Sequence, residues 1–295
     1  MANILKAEFF KLRKNKAIWI SLGIIVGVTM LYAALMLLFG GFLDMLVEGM
    51  SAELNAELSR ATGGIIPMFN ATGALMMFGS MTFMVSAVLV SLIAGRFYAG
   101  ENGSGVLRNS LMAGQSRTMV YTAKFIMTMI VASAAYFVPI IIGMAVLGIA
   151  GGFGGANAGV FLGYMALQWL LFMSVGGLIF LLSVATRSVG GSLGITFGVC
   201  YFFVVLSMMA SIGWEFSAQM NAGYDWSSGT YPGEPHAFFR VLKEICMMLS
   251  PTQLSFVAPM DLEPERVAQA ALVGVGTLAV TYGGGLAIFN RRDHK

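Results

Sequence analysis

The side chains able to do chemistry are few: 17 Lys or Arg, 14 Asp or Glu, two His and two Cys among 295 residues. His236 and His294 are too few for a histidine-built metal site, and no HExxH, GxSxG or CxxC spacing occurs. No Walker A pattern occurs either. ENGSGVLRNS, Glu101 to Ser110, lacks the Lys-Ser/Thr end, so it does not cradle phosphates as a P-loop does. These absences argue against an enzyme, and the sequence assigns no catalytic, cofactor-binding or metal-binding residue. What the charged residues offer instead is recognition. The stretch from Gly95 to Phe125 joins a Gly-rich turn to a short amphipathic helix over about Val106 to Met112, then to a basic run. Val106, Leu107 and Leu111 suit insertion into a partner, and Arg108, Arg117 and Lys124 suit polar contacts. The layout is that of a docking element; a plain connector is the alternative.

The elements that position this stretch follow from composition. Hydrophobic residues make up 58% of the chain and charged residues 11%, against about 25% charged in a soluble domain. Such a chain cannot clothe a soluble surface. A bilayer core of roughly 30 Å needs about 20 apolar residues per helix. Charges divide the chain into uncharged stretches of that size, predicting an all-α integral membrane protein with six transmembrane helices in one transmembrane domain over 1–295. The spans fall near 17–39, 73–95, 125–147, 160–183, 190–212 and 267–289, with the Gly-rich run Gly148 to Gly159 dividing the third from the fourth.

Six crossings put both termini on one side, and the charges choose the side. Only four basic residues (Arg60, Arg240, Lys243, Arg266) fall opposite the termini, with eleven acids; the remaining 13 of the 17 Lys and Arg lie on the terminal side. The positive-inside rule then makes the termini and the 96–124 loop cytoplasmic, in a multi-pass cell-membrane protein. KLRKNK precedes an apolar stretch longer than a signal-peptide core, so it reads as the flank of a retained helix. No charge sits at the centre of a span. Intramembrane charges mark ion and proton pathways, so the energy for any transport is expected from elsewhere.

Outside the spans, ILKAEFFKLRKNKAIW predicts an amphipathic helix with Ile4, Leu5, Phe9 and Leu12 near one face and Lys6, Lys11, Arg13 and Lys14 reaching water or lipid phosphates; a simple basic anchor is the alternative. Between the first two spans, Leu43, Val47, Met50, Leu54 and Leu58 alternate with acids as in an interfacial helix, whose acidic face is solvated or holds a cation. Asn70-Ala71-Thr72 matches a glycosylation sequon. In the last outer loop a helix from Ala237 to Leu249, ended by Pro251, predicts a lid or re-entrant hairpin, with a disordered loop as the alternative. Gly190, Gly194 and Gly198 lie four apart on the fifth span, either packing within the chain or forming a homodimer seam.

Two segments carry a family likeness. AEFFKLRKNKAIW is similar to the acidic-apolar-Lys elbow helix that precedes the first span of ABC type-2 exporter permeases, and it supplies Glu8 and Lys11. The second is E-x-x-x-G-x-L-R, then S-R, then K, here Glu101, Gly105, Leu107, Arg108, Ser116, Arg117 and Lys124. With six spans, inside termini and a large final outer loop, the chain resembles the group that includes bacitracin-resistance and lantibiotic-immunity permeases of bacteria. Val106 departs from the family's frequent Thr, and the acidic helix after the first span is less typical.

That resemblance implies a second permease chain, as a homodimer or heterodimer, and a separate cytoplasmic ATPase subunit that binds ATP and Mg; this chain itself carries no cofactor and has no nucleic-acid partner. The elbow helix and the loop helix would couple to the ATPase, with Glu101 and Arg108 as the foremost polar contacts, and drive alternating access. An uncharged path rich in Met, Phe and Gly suits an amphipathic or apolar cargo such as a peptide antibiotic, drug or lipid-like molecule. The rival functions are a secondary transporter or channel, a non-transporting scaffold and a membrane enzyme.

Overall fold

The structure, a computed structural model, describes residues 2–48, 86–101, 105–151, 158–186, 188–222, 236–249 and 264–291. Among them every regular element is helical: α1 (Ala2–Lys14), α2 (Lys16–Glu48), α3 (Ser86–Tyr98, continuing into a π-helical turn over Arg96–Gly100), α4 (Val106–Met112), α5 (Arg117–Gly151), α6 (Ala158–Thr186), α7 (Val189–Ala222), α8 (Ala237–Met247) and α9 (Pro264–Arg291). Five are long and apolar enough to cross a membrane: Lys16–Leu38, Arg117–Ala150, Leu162–Thr186, Val189–Trp214 and Pro264–Arg291. The expected span 73–95 is described only from Ser86, as the shorter apolar helix α3. The acidic stretch beyond Glu48, the sequon at Asn70, Arg187 and the part of the last outer loop over 223–235 lie outside the described residues.

Several helices run past the predicted bounds. Hydropathy marks the width of the hydrocarbon, whereas the helix ends where its backbone finds a cap. The helix expected from Phe125 starts at Arg117, because the Ser116 hydroxyl accepts from the Met119 amide, 3.3 Å away, and caps the free N-terminal turn. Lys124 therefore sits two turns inside α5 and not in a loop. α5 also carries Pro139 without breaking. A proline lacks the amide that would bond to the carbonyl four residues back, here that of Ala135. The buried Ser86 hydroxyl of α3 donates to that carbonyl at 3.2 Å, so a neighbouring helix supplies the missing partner.

Lipid is as apolar as leucine, so these helices associate by close packing and hydrogen bonds. α9 lies along α6, α5 packs between α2 and α6, and α8 lies on α7. At Gly177 a methyl group would come within 2.6 Å of the Thr281 hydroxyl, and at Gly274 within 3.0 Å of Leu170. Glycine is what lets α6 and α9 approach so closely. Tyr136 donates to the Met165 carbonyl and the Trp169 indole to the Ser133 hydroxyl, tying α5 to α6 inside the apolar region. Cys200 and Cys246 are both buried.

Candidate functional site

One end of the bundle gathers α1, the π turn of α3, α4, the start of α5 and the ends of α6 and α9. The charges expected to serve docking meet there. Leu5, Glu8 and Leu12 form the stripe that α1 turns toward the bundle; Phe9, predicted inside, is 51% exposed. Glu8 takes the inward position because a buried cation faces it. Lys124 of α5 is 1% exposed, and its ammonium lies 2.6 Å from Glu101, 3.4 Å from Glu8 and 3.2 Å from the Phe97 carbonyl of the π turn. Lys11 closes the square, 2.9 Å from Glu8 and 3.2 Å from Glu101. Two acids and two bases alternate, so the cluster is neutral.

A lysine out of water is costly unless paired and hydrogen-bonded, and each donor direction of Lys124 here meets an oxygen. Lys11 is the half-exposed member. Burial pulls its pKa down, but the hydrogen bond and charges of Glu8 and Glu101 outweigh that, and the net shift is upward. The four residues pin α1, α3 and α5 together at one point. Glu101 and Lys124, expected at a partner surface, spend their charges within the chain.

Beneath α4 lies a second, aromatic core. Tyr98, Tyr121, Phe125, Phe180, Tyr282 and Phe289 pack with ring centroids 5.1–6.4 Å apart. Leu107 of α4 is buried in it, 1% exposed, and Leu111 packs beside it. Leu107, expected to suit a partner, instead seats α4 on the bundle within this chain, because the i, i+4 pair Leu107 and Leu111 is the face turned inward. Val106 and Met112 face outward instead, Met112 at 68% exposure. Glycines set both ends of the short helix. Gly105 precedes it at φ 75° and Gly114 follows it at φ 85°, backbone values that disfavour any Cβ.

Arg117, also expected to face a partner, donates to the Asn290 carbonyl at 3.0 Å and so satisfies the free C-terminal end of α9. Ser116 is the cap of α5 described above. The backbone of Arg108 lies in α4, and its side chain lies outside the described residues. Gly190 and Gly194 are exposed, as is Gly198, and a methyl group added to any of them would meet nothing within 4 Å. Packing within the described chain does not use them.

Sequence reading missed the Phe97 carbonyl and the aromatic core. The π turn that aims Phe97 has no sequence signature. The Glu8 position did have one: Leu5, Glu8 and Leu12 are spaced three and four apart, so an acid stood on the apolar face and called for a buried cation. Among the described residues no three His, Cys, Asp or Glu side chains converge as metal ligands.

The chemistry available to this end is mechanical: a neutral brace of charges, and an outward-facing short helix mounted on a rigid aromatic base. Residues 4–205 match the family model described as ABC-2 family transporter protein, a region that contains α1, the charge cluster and α4. No curated protein matches the chain. With membrane-crossing helices, and with more than half its length matched, the chain belongs to the ABC-2 transporter family and is a multi-pass permease subunit of an ABC transporter.

Proposed function

We propose that this permease exports an amphipathic or hydrophobic molecule by alternating access, driven by a separate cytoplasmic ATPase that binds ATP and Mg. In this reading the chain crosses the membrane six times with both termini in the cytoplasm, α1 is the elbow helix and α4 the coupling helix. A second permease chain pairs along the face of α7 that carries Gly190, Gly194 and Gly198. The cargo class includes peptide antibiotics, drugs and lipid-like molecules.

The observation that carries the reading is the charge cluster. Glu8, Lys11, Glu101 and Lys124 lock α1 to the α3–α4 connection and to α5. A push on the exposed face of α4 then moves three helices together instead of bending one loop. The excess of Lys and Arg on this side supports its facing the cytoplasm, where ATP is available.

The test is transport and stimulated ATP hydrolysis in vesicles holding this chain and its ATPase. Reversing charge at Glu101 and Arg108 together should abolish transport and reduce stimulated ATP hydrolysis while the permease stays in the membrane. Met112→Glu places a charge on the exposed face of α4 without touching the brace, and should weaken ATPase binding and, with it, transport. Undiminished transport in both variants would contradict the proposal. Transport that persists with no ATPase present would favour a secondary carrier or channel, and a chain that binds ATPase but moves nothing would favour a scaffold.

A further inference from the structure

We propose that the cavity under α1 is a binding site for an anionic phospholipid, one acyl chain lying inside and the phosphate held by Arg13 and Lys6. The cavity has a volume of about 270 Å³ and opens between α1, α2, α3 and α5. Its walls are apolar side chains such as Leu12, Ile25, Leu89, Ile93 and Ala134, with Arg13 at the rim. Ile25 lies nine residues into α2, about 14 Å along the helix, so the hollow reaches well into hydrocarbon depth. An apolar cavity of this kind does not hold water; an alkyl chain fits its chemistry.

The rim selects the headgroup. The cations of α1 fall into two sets. Lys11 is paired with Glu8 and Glu101, and Lys14 lies over the Phe10 ring at 4.5 Å. The side chains of Lys6 and Arg13 have no hydrogen-bond or ion-pair partner among the described residues. Both line a shallower hollow with Leu5, Phe9, Phe10 and Met127, and that hollow shares Phe9 and Arg13 with the main cavity. The Trp19 indole donates to the Arg13 carbonyl at 2.9 Å, fixing the bend between α1 and α2 beside the opening. An apolar slot beneath two cations that no described side chain pairs is complementary to an anionic amphiphile and not to a zwitterionic one. This rests on the proposed reading of α1 as the elbow helix at the membrane surface, which makes the adjoining bilayer leaflet the source.

The test needs neither ATPase nor cargo. The full chain is purified in detergent with equimolar phosphatidylglycerol and phosphatidylcholine, and the retained lipid is counted by native mass spectrometry. Wild type should retain phosphatidylglycerol in preference. Arg13→Gln and Lys6→Gln should each reduce that preference about fivefold, from about 1 kcal/mol per surface cation, while Arg291→Gln at the end of α9 should leave it unchanged. Ala134→Phe, or the milder Ala134→Leu, fills the slot and should lower retention of phosphatidylglycerol. Lengthening short-chain phosphatidylglycerol should raise affinity about fourfold per methylene until the slot is full. Equal retention of the two lipids by wild type would overturn the proposal, as would retention untouched by Ala134→Leu. Loss in Ala134→Leu with no effect of Arg13→Gln and Lys6→Gln would also overturn it, since the slot would then take a neutral apolar molecule.

Discussion

Replacing Lys124 by Met isolates what the charge cluster does. The ammonium is 1% exposed and has three oxygens within 3.4 Å. Met is close in length and apolar, so the change removes charge and donors more than volume. Glu8 and Glu101 are left facing each other with Lys11 as their sole shared cation. Removing one partner of a buried pair costs about 3–5 kcal/mol. Since Lys11 still offsets one of the acids, a loss near about 3 kcal/mol is expected. Lys11→Met is the contrast: that side chain is 38% exposed, and exposed pairs contribute about 0–1 kcal/mol. Unfolding of the purified permease by SDS in mixed micelles, followed by helical circular dichroism, reads both. The double variant Lys124→Met with Glu101→Gln should lose less than the sum of its singles, by about 1–3 kcal/mol, as contacting residues do. Equal losses for Lys124→Met and Lys11→Met, or strict additivity in the cycle, would refute the idea of a buried brace.

Leu107→Ala opens a hole in the aromatic core and should cost about 2–5 kcal/mol, whereas Val106→Ala next to it should stay within about 0.5 kcal/mol, both read by the same SDS titration. Gly105→Ala forces a Cβ into a left-handed backbone and should cost about 1–2 kcal/mol, together with lower ATPase stimulation if α4 loses its seat. Because the folded state raises the Lys11 pKa, the stability it contributes is whole below the ordinary lysine value of about 10.4 and is lost as pH rises through the raised value. The melting-temperature gap between wild type and Lys11→Met should therefore be flat from neutral pH and close in the alkaline range. Gly194→Leu should reduce disulfide or chemical crosslinking between permease chains, and an unchanged yield would remove α7 as the seam.

Much of this arrangement is legible in the sequence, because length and hydropathy of a span are physical requirements of the bilayer. The stretches at 17–39, 125–147, 160–183, 190–212 and 267–289 each fall on a long helix, and the helix expected at Ala237 starts there. The helix ends were less legible, since Ser116 and Ser188 fix them by single hydrogen bonds that hydropathy does not weigh. At the candidate site the residue types were readable and their directions were not. Leu107 and Arg117 suited a partner equally well by composition; the short α4 has an inner and an outer face, and only the bundle beneath decides which is which. Lys124 looked like a flank of a span until Ser116 moved the start of α5 back by two turns. The π turn at Arg96–Gly100 was invisible, although it supplies the carbonyl that Lys124 needs.

Work from the ATPase is proposed to enter at the exposed face of α4, so Met112 is the position to probe. A Met112→Cys variant, with Cys200 and Cys246 changed to Ala, is labelled by a membrane-impermeant maleimide in inside-out vesicles, with and without the ATPase. The bare permease should label rapidly and be strongly protected once the ATPase is bound. Labelling that the ATPase leaves unchanged, or that occurs only in right-side-out cells, would contradict that entry point.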